Sequence, residues 1–101
     1  MNEKEVMIEM AARGCKAPAV TVEMIDDAIV SEEFHTFHGK HMVCCLTLKN
    51  GFTVTGEAAV VSPENFREDM GRRFSRARAR EKVWGFEAYL LQEKLHQEKI
   101  A

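Results

Sequence analysis

Arg72, Arg76 and Arg80 recur at every fourth residue of the segment MGRRFSRARAREKVWGF, with Arg73, Arg78 and Lys82 close by. Each guanidinium offers paired planar donors that match a phosphate or a carboxylate. On a helix this spacing puts the three on one side, and the same segment brings Trp84 and Tyr89, whose ring faces can stack on a base. The chemistry is that of a phosphate-bearing, nucleotide-like ligand. Asn65 and Phe66, just ahead of the row, add an amide and a ring beside free backbone amides. The same residues support a plainer reading. Glu68 with Arg72 and Asp69 with Arg73 stand four apart, the spacing of ion pairs on a solvated helix, each contributing about 0.2 to 0.5 kcal/mol. Phe66 equally opens an apolar stripe.

A second group of donors lies upstream. His35, His38 and His41 precede Cys44 and Cys45, types that bind zinc when four converge. Their spacing fits no finger, and strand alternation puts His41 and Cys45 on one face and Cys44 on the other, so no metal is expected. The three cysteines, Cys15, Cys44 and Cys45, are an odd count without a CxxC motif, which predicts reduced thiols packed as small hydrophobes. No nucleophile, base and orienting group stand at interpretable spacing, and no glycine-rich phosphate loop or carboxylate pair is recognisable. Neither catalytic residues nor a cofactor are expected.

The elements that must position these side chains follow from patterning. A chain of 101 residues, 46% hydrophobic and 30% charged with net charge -2, predicts one soluble domain and no overall attraction to nucleic acid or anionic membrane. No apolar run reaches the ~20 residues needed to cross a bilayer, and the acidic start MNEKEVMIEM lacks the marks of a signal peptide. The expectation is a protein of the cytoplasm. Residues 3 to 13 form a first helix stopped by Gly14, and Lys16 to Val20 a linker. Thr21 caps a second helix, with Val22, Ile25 and Ile29 on one side, ending near Val30. FHTFHGKHMVCCLTLKN then reads as a short strand turning at Gly39 into a longer one.

Asn50-Gly51 ordinarily signals a two-residue hairpin. Here that register pairs Leu48 with Thr53 and Leu46 with Thr55, mixing polar and apolar residues on each face. A three-residue loop, Lys49-Asn50-Gly51, pairs Leu46 with Val54, Cys44 with Gly56 and Met42 with Ala58, which gives one clean apolar face. A one-residue slip exchanges the faces, so burial decides the register, with Gly51 left-handed at the bulge. Leu46, Leu48, Phe52 and Val54 are expected to be buried together. Ser62 and Pro63 read as the cap and first position of a long helix, whose stripe of Phe66, Met70, Phe74, Ala77, Trp84, Ala88, Leu91 and Leu95 is expected to cover the sheet. Gly71 and Gly85 inside it mark kinks or close approaches.

The predicted fold class is α+β: a three-stranded antiparallel meander packed against N-terminal helices and a long C-terminal helix. Residues 1–20 hold the N-terminal helix and linker, and 21–98 the core. Exposed sheet edges and an apolar tail beyond the sheet, LLQEKLHQEKIA, predict a homodimer or higher homo-oligomer.

At LTLKNGFTVTGEAAVVSPENF, followed by MGRRFSRARAREKVWGFEAYLL, the sequence resembles the small tailed-phage and prophage proteins of the gene-forty-nine/gene-sixty-six family. The likeness runs over roughly residues 20 to 91 and includes VTVEMIDDAIVSEEF, the NGF turn, the SPENF cap, Gly71-Arg72 and Lys82 to Trp84. It departs in a short stretch between Phe34 and His41, where a longer loop is expected, and in Gly85-Phe86, where a Pro-Leu pair is expected. The resemblance implies phage or prophage origin and residence in the host cytoplasm, and carries over no catalytic residue. In scale and in joining a β-core to helices, the chain is also broadly similar to phage counter-defence proteins that sequester nucleotide messengers, an analogy of fold. Together these give a non-catalytic accessory protein, of host takeover or counter-defence, that binds a nucleotide-like small molecule or a host protein through Arg72, Arg73, Arg76, Arg80, Lys82, Asn65 and Trp84. A nucleic-acid-binding module is the alternative, because the order helix, three strands, basic helix also matches double-stranded-RNA-binding domains. A structural or adaptor protein is the third.

Overall fold

The computed structural model describes residues 2–100. Helix α1 (Glu3–Ala12) opens on a capping box in which Asn2 Oδ1 accepts from the Glu5 amide and Glu5 reaches back to the Asn2 amide. It buries none of its residues. Past Gly14, whose φ is +75°, the linker leads to α2 (Val22–Ala28), capped by Thr21 Oγ1 accepting from Met24 N at 3.2 Å. Ile25 and Ala28 are its buried positions.

Helix α2 gives way directly to strand β1 (Ile29–Phe37), followed by β2 (His41–Leu48) and β3 (Thr53–Ala59) in an antiparallel sheet of order β1-β2-β3. The α+β meander is as predicted, but β1 begins at Ile29, inside the span assigned to the second helix and well before Phe34. The polar run Ser31-Glu32-Glu33 lies on an edge strand and pairs with Thr47, Leu46 and Cys45, so edge exposure rather than a loop explains its composition. His38 and Gly39, with φ of +53° and +66°, turn β1 into β2 as a positive-φ turn. The stretch is short because the turn is tight.

The second hairpin has the three-residue register. Leu46 faces Val54, Cys44 faces Gly56 and Met42 faces Ala58, while Leu48 N donates to Phe52 O at 2.8 Å and Gly51 adopts φ +89°. Burial alternates strictly along β2 and β3. Leu46, Leu48 and Val54 are buried as expected. Phe52 is not: it is 54% exposed, its ring 5.2 Å from that of Phe86.

The expected helix start at Ser62 is also corrected. Ser62 makes no side-chain cap, Pro63–Asn65 form a single 3-10 turn, and Phe66 is extended with ψ 134°. The long helix α3 runs from Glu68 to Ile100. The break lets the Phe66 ring fold back onto Gly71, whose missing Cβ would lie 2.9 Å from Phe66 Cζ. Gly85, by contrast, has open space around it.

The face of α3 that meets the sheet is Gly71, Ser75, Ala79 and Val83; of the expected stripe Trp84 does pack against the core, whereas Met70, Phe74, Ala77 and Ala88 are exposed. The reason is separation. A Cβ on Gly56 would fall well inside contact distance of Ala79 N and Ser75 O and 2.8 Å from Arg78 C, so α3 lies with its backbone against β3. Only small side chains fit between. The core is Ile25, Ala28, Cys44, Leu46, Leu48, Val54, Ala79 and Val83, with Val20, Ile29, Phe34 and Trp84 packed around it.

Candidate functional site

Two cationic flanks follow from the buried row on α3. Stepping one way round the helix from Gly71, Ser75 and Ala79 gives Arg72, Arg76 and Arg80 on the side of β1 and α2. Stepping the other way gives Phe74, Arg78 and Lys82 on the side of β3.

The predicted arginine row is held by carboxylates. Arg72 pairs with Glu68 at 3.2 Å, and its guanidinium lies 4.6 Å from the centre of the Phe34 ring. Arg76 Nε donates to Glu32 Oε2 at 2.6 Å, which ties α3 to β1. Arg80 donates to Glu3 and, at 2.9 Å, to Asp26 Oδ1, which ties α3 to α1 and α2. Its side chain is 13% exposed. Burial alone lowers the Arg80 pKa, but the two carboxylates outweigh it and raise it. Trp84 packs against the core and donates from Nε1 to Glu3 Oε1 at 2.9 Å. The pair foreseen between Glu68 and Arg72 is present, whereas Arg73 lies 5.1 Å from the centre of the Phe74 ring.

The β3 flank is different. Leu48 N donating to Phe52 O fixes a phase in which Val54, Gly56 and Ala58 bond to β2, so the carbonyls of Thr55 and Glu57 face the open edge. Lys82 Nζ donates to Thr55 O and Arg78 to Glu57 O. Covering a bare edge with charged side chains keeps it from recruiting another strand. Arg67, at the entrance to α3, donates to the carbonyls of Glu64 and Phe66. Among the described residues Arg67, Arg73, Arg78 and Lys82 have no carboxylate partner.

Arg67 and Arg78 border a cleft of about 230 Å³, with Asn65 at the same rim and Phe66, Met70 and Phe74 on its apolar side. The cleft therefore joins Asn65 from the predicted set to Arg78, which the sequence places close to the arginine row, and to Arg67, which lies ahead of it. Arg67 stands just ahead of α3 and Arg78 eleven residues on, about three turns along the helix that Arg67 precedes, and that spacing is the signal in the sequence. A larger cavity of about 450 Å³ lies at the other end of the sheet beside Phe52, Phe86, Tyr89 and Leu90. Tyr89, a candidate stacking ring, belongs there.

The upstream donors do not converge. His41 Nε2 lies 2.6 Å from Glu57 Oε2, His35 packs edge-on against Phe37 with centroids 4.4 Å apart, and His38 occupies the turn. Among the described residues no three His, Cys, Asp or Glu side chains gather around a point that could hold a metal. Cys15, Cys44 and Cys45 are free thiols, and burial, with Glu32 adding to it, pushes the Cys44 thiol pKa up.

The model of the phage protein (N4 Gp49/phage Sf6 gene 66) family matches residues 20–95. The chain belongs to that family. The matched span holds α2, the whole sheet, the cleft and both flanks of α3 as far as residue 95, and leaves α1 outside. No curated protein and no solved structure matches the chain. Among the described residues no helix of this phage protein is long and apolar enough to cross a membrane.

Proposed function

We propose a non-catalytic phage accessory protein of the host cytoplasm, serving host takeover or counter-defence, that binds a phosphate-bearing, nucleotide-like ligand. One observation carries this reading: Arg67 and Arg78, free of carboxylates among the described residues, stand at the rim of a cleft whose apolar side is Phe66 and Phe74. A phosphate suits the guanidinium forks, and a base suits the aromatic side. The volume of about 230 Å³ suits a single nucleobase, with Arg73 and Lys82 extending the positive flank. Arg72, Arg76 and Arg80, already paired, serve in this reading to hold α3 in place.

A thermal-shift screen over cyclic nucleotides, ADP-ribose derivatives and short oligonucleotides tests it. Ligand at about a hundred times its Kd stabilises by ~2.7 kcal/mol, on the order of 10 °C for a domain of this size. The shift is expected to vanish in an Arg67→Gln, Arg78→Gln double variant and to persist in Arg76→Gln. If no compound raises the Tm, the phosphate reading is wrong. If only oligonucleotides do so, with affinity falling steeply as salt rises, the protein is a nucleic-acid-binding module.

A host-protein partner is the second reading, favoured by the exposed apolar group Phe52, Phe86, Tyr89 and Leu90. A protein retained from infected cells by the wild type and lost on Leu90→Lys supports that reading over the cleft.

A further inference from the structure

Helix α1 has no fully buried residue, and Met7 and Met10 are only half-buried, yet its first residue, Glu3, accepts three hydrogen bonds from α3. The Glu3 carboxylate accepts from the Arg80 guanidinium, and its Oε1 also accepts from Trp84 Nε1 at 2.9 Å. Arg80 and Trp84 lie one turn apart on α3, inside the span matched by the family. Glu3 lies outside it. Two donors fixed on the rigid helix thus converge on one carboxylate supplied by a segment with little other hold on the body.

We infer that Arg80 and Trp84 form a carboxylate socket which Glu3 fills in cis, and which an acidic side chain of a partner protein occupies when α1 is displaced. The charge around the socket selects the occupant. Asp26 keeps its own bond to Arg80 at 2.9 Å, and a shallow cavity of about 590 Å³ beside the socket is lined by Lys4 and Glu81 as well as Glu3 and Trp84. With α1 displaced Lys4 leaves too, so the site keeps Arg80 together with the carboxylates of Asp26 and Glu81; a single carboxylate there restores only the charge that Glu3 now brings, whereas a phosphate dianion adds one more and is disfavoured. Convergent guanidinium and indole donors match a carboxylate's oxygens. The socket is separate from the cleft at Arg67 and Arg78, and neither proposal depends on the other.

Trp84 is the sole tryptophan, so its emission reports the socket directly. The probes are a peptide with the sequence of residues 2–13, the same peptide with Gln for its Glu3, acetate and inorganic phosphate, each titrated into the full-length wild type and into full-length Glu3→Gln. In the wild type the tethered Glu3 acts at an effective concentration on the order of millimolar, so Glu3→Gln is expected to lower the midpoint for the acidic peptide at least ~10-fold. Acetate competes with the peptide, whereas phosphate and the Gln peptide leave Trp84 emission unchanged. Hydrogen exchange on the same proteins supplies a second readout, and α1 amides are expected to lose protection in Glu3→Gln while those of the sheet do not. Unchanged emission and unchanged α1 exchange in Glu3→Gln overturn the proposal, as does equal binding of the two peptides. Phosphate binding in place of acetate overturns the charge argument and assigns the socket to phosphate ligands.

Discussion

At the scale of single residues, the position with least tolerance is Gly56. Its α-hydrogens face the backbone of Ala79 and Ser75, so a methyl group there pushes β3 and α3 apart over the best-packed part of the core. Overpacking ordinarily costs 1–3 kcal/mol, and here the obstacle is backbone, which cannot rotate away; Gly56→Ala is therefore expected to destabilise by about 3 kcal/mol in urea unfolding. A loss below about 1 kcal/mol would mean that the helix rides further from the sheet. The arginines divide by environment in the same way. Arg76 and Glu32 are both substantially exposed, so Arg76→Gln is expected to cost less than ~1 kcal/mol. Arg80→Gln strands two carboxylates beside a nearly buried site, with an expected cost of roughly 1 to 2 kcal/mol by the same unfolding measurement. Sequence spacing made the arginine row legible, but not its partners. Glu32 and Arg76 are 44 residues apart and Glu3 and Arg80 are 77 apart, separations at which only the fold decides contact.

At the scale of elements, the hairpin shows what sequence can settle. Strand side chains alternate with a period of two, and only one register put Met42, Cys44, Leu46, Val54 and Ala58 on a common face, which is the pairing found. The turn inherits a strict demand, since Gly51 has φ +89°. Gly51→Val is expected to cost roughly 1 to 3 kcal/mol, with the same loss seen by thermal and urea unfolding; a neutral result would show that the loop relaxes into another turn type. The space around Gly51 is open, so the cost is conformational and not a clash. The long helix taught the opposite lesson. Counting large apolar residues singled out Phe66, Met70 and Phe74, while contact with the sheet uses Gly71, Ser75 and Ala79. Small residues register weakly in any hydrophobic pattern, yet they are what a close helix-to-sheet approach selects. The first strand was obscured by a related effect, because an edge strand exposes most of its residues and reads as polar.

At the scale of the whole molecule, α3 is longer than the sheet it backs. Its 33 residues span about 50 Å at 1.5 Å per residue, close to the longest dimension of 55 Å, and the radius of gyration is 16.8 Å. A compact domain of this length has a radius of gyration nearer 13 Å. The excess is the C-terminal part of α3, where Leu91 and Leu95 are half-buried but Tyr89, Leu90 and Ile100 are open. Isolated helix is marginal in water without tertiary packing, so protection should decline along α3. Native-state hydrogen exchange is expected to be slow from Gly71 to Val83, where the helix rests on the sheet, and faster by orders of magnitude from Gln92 to Ile100. The measurement is decisive when repeated across protein concentration. Fast exchange at every concentration leaves the end of α3 from Gln92 uncovered in the isolated protein, whereas protection that grows with concentration means that a second copy covers it, which is the oligomer that the apolar tail predicts.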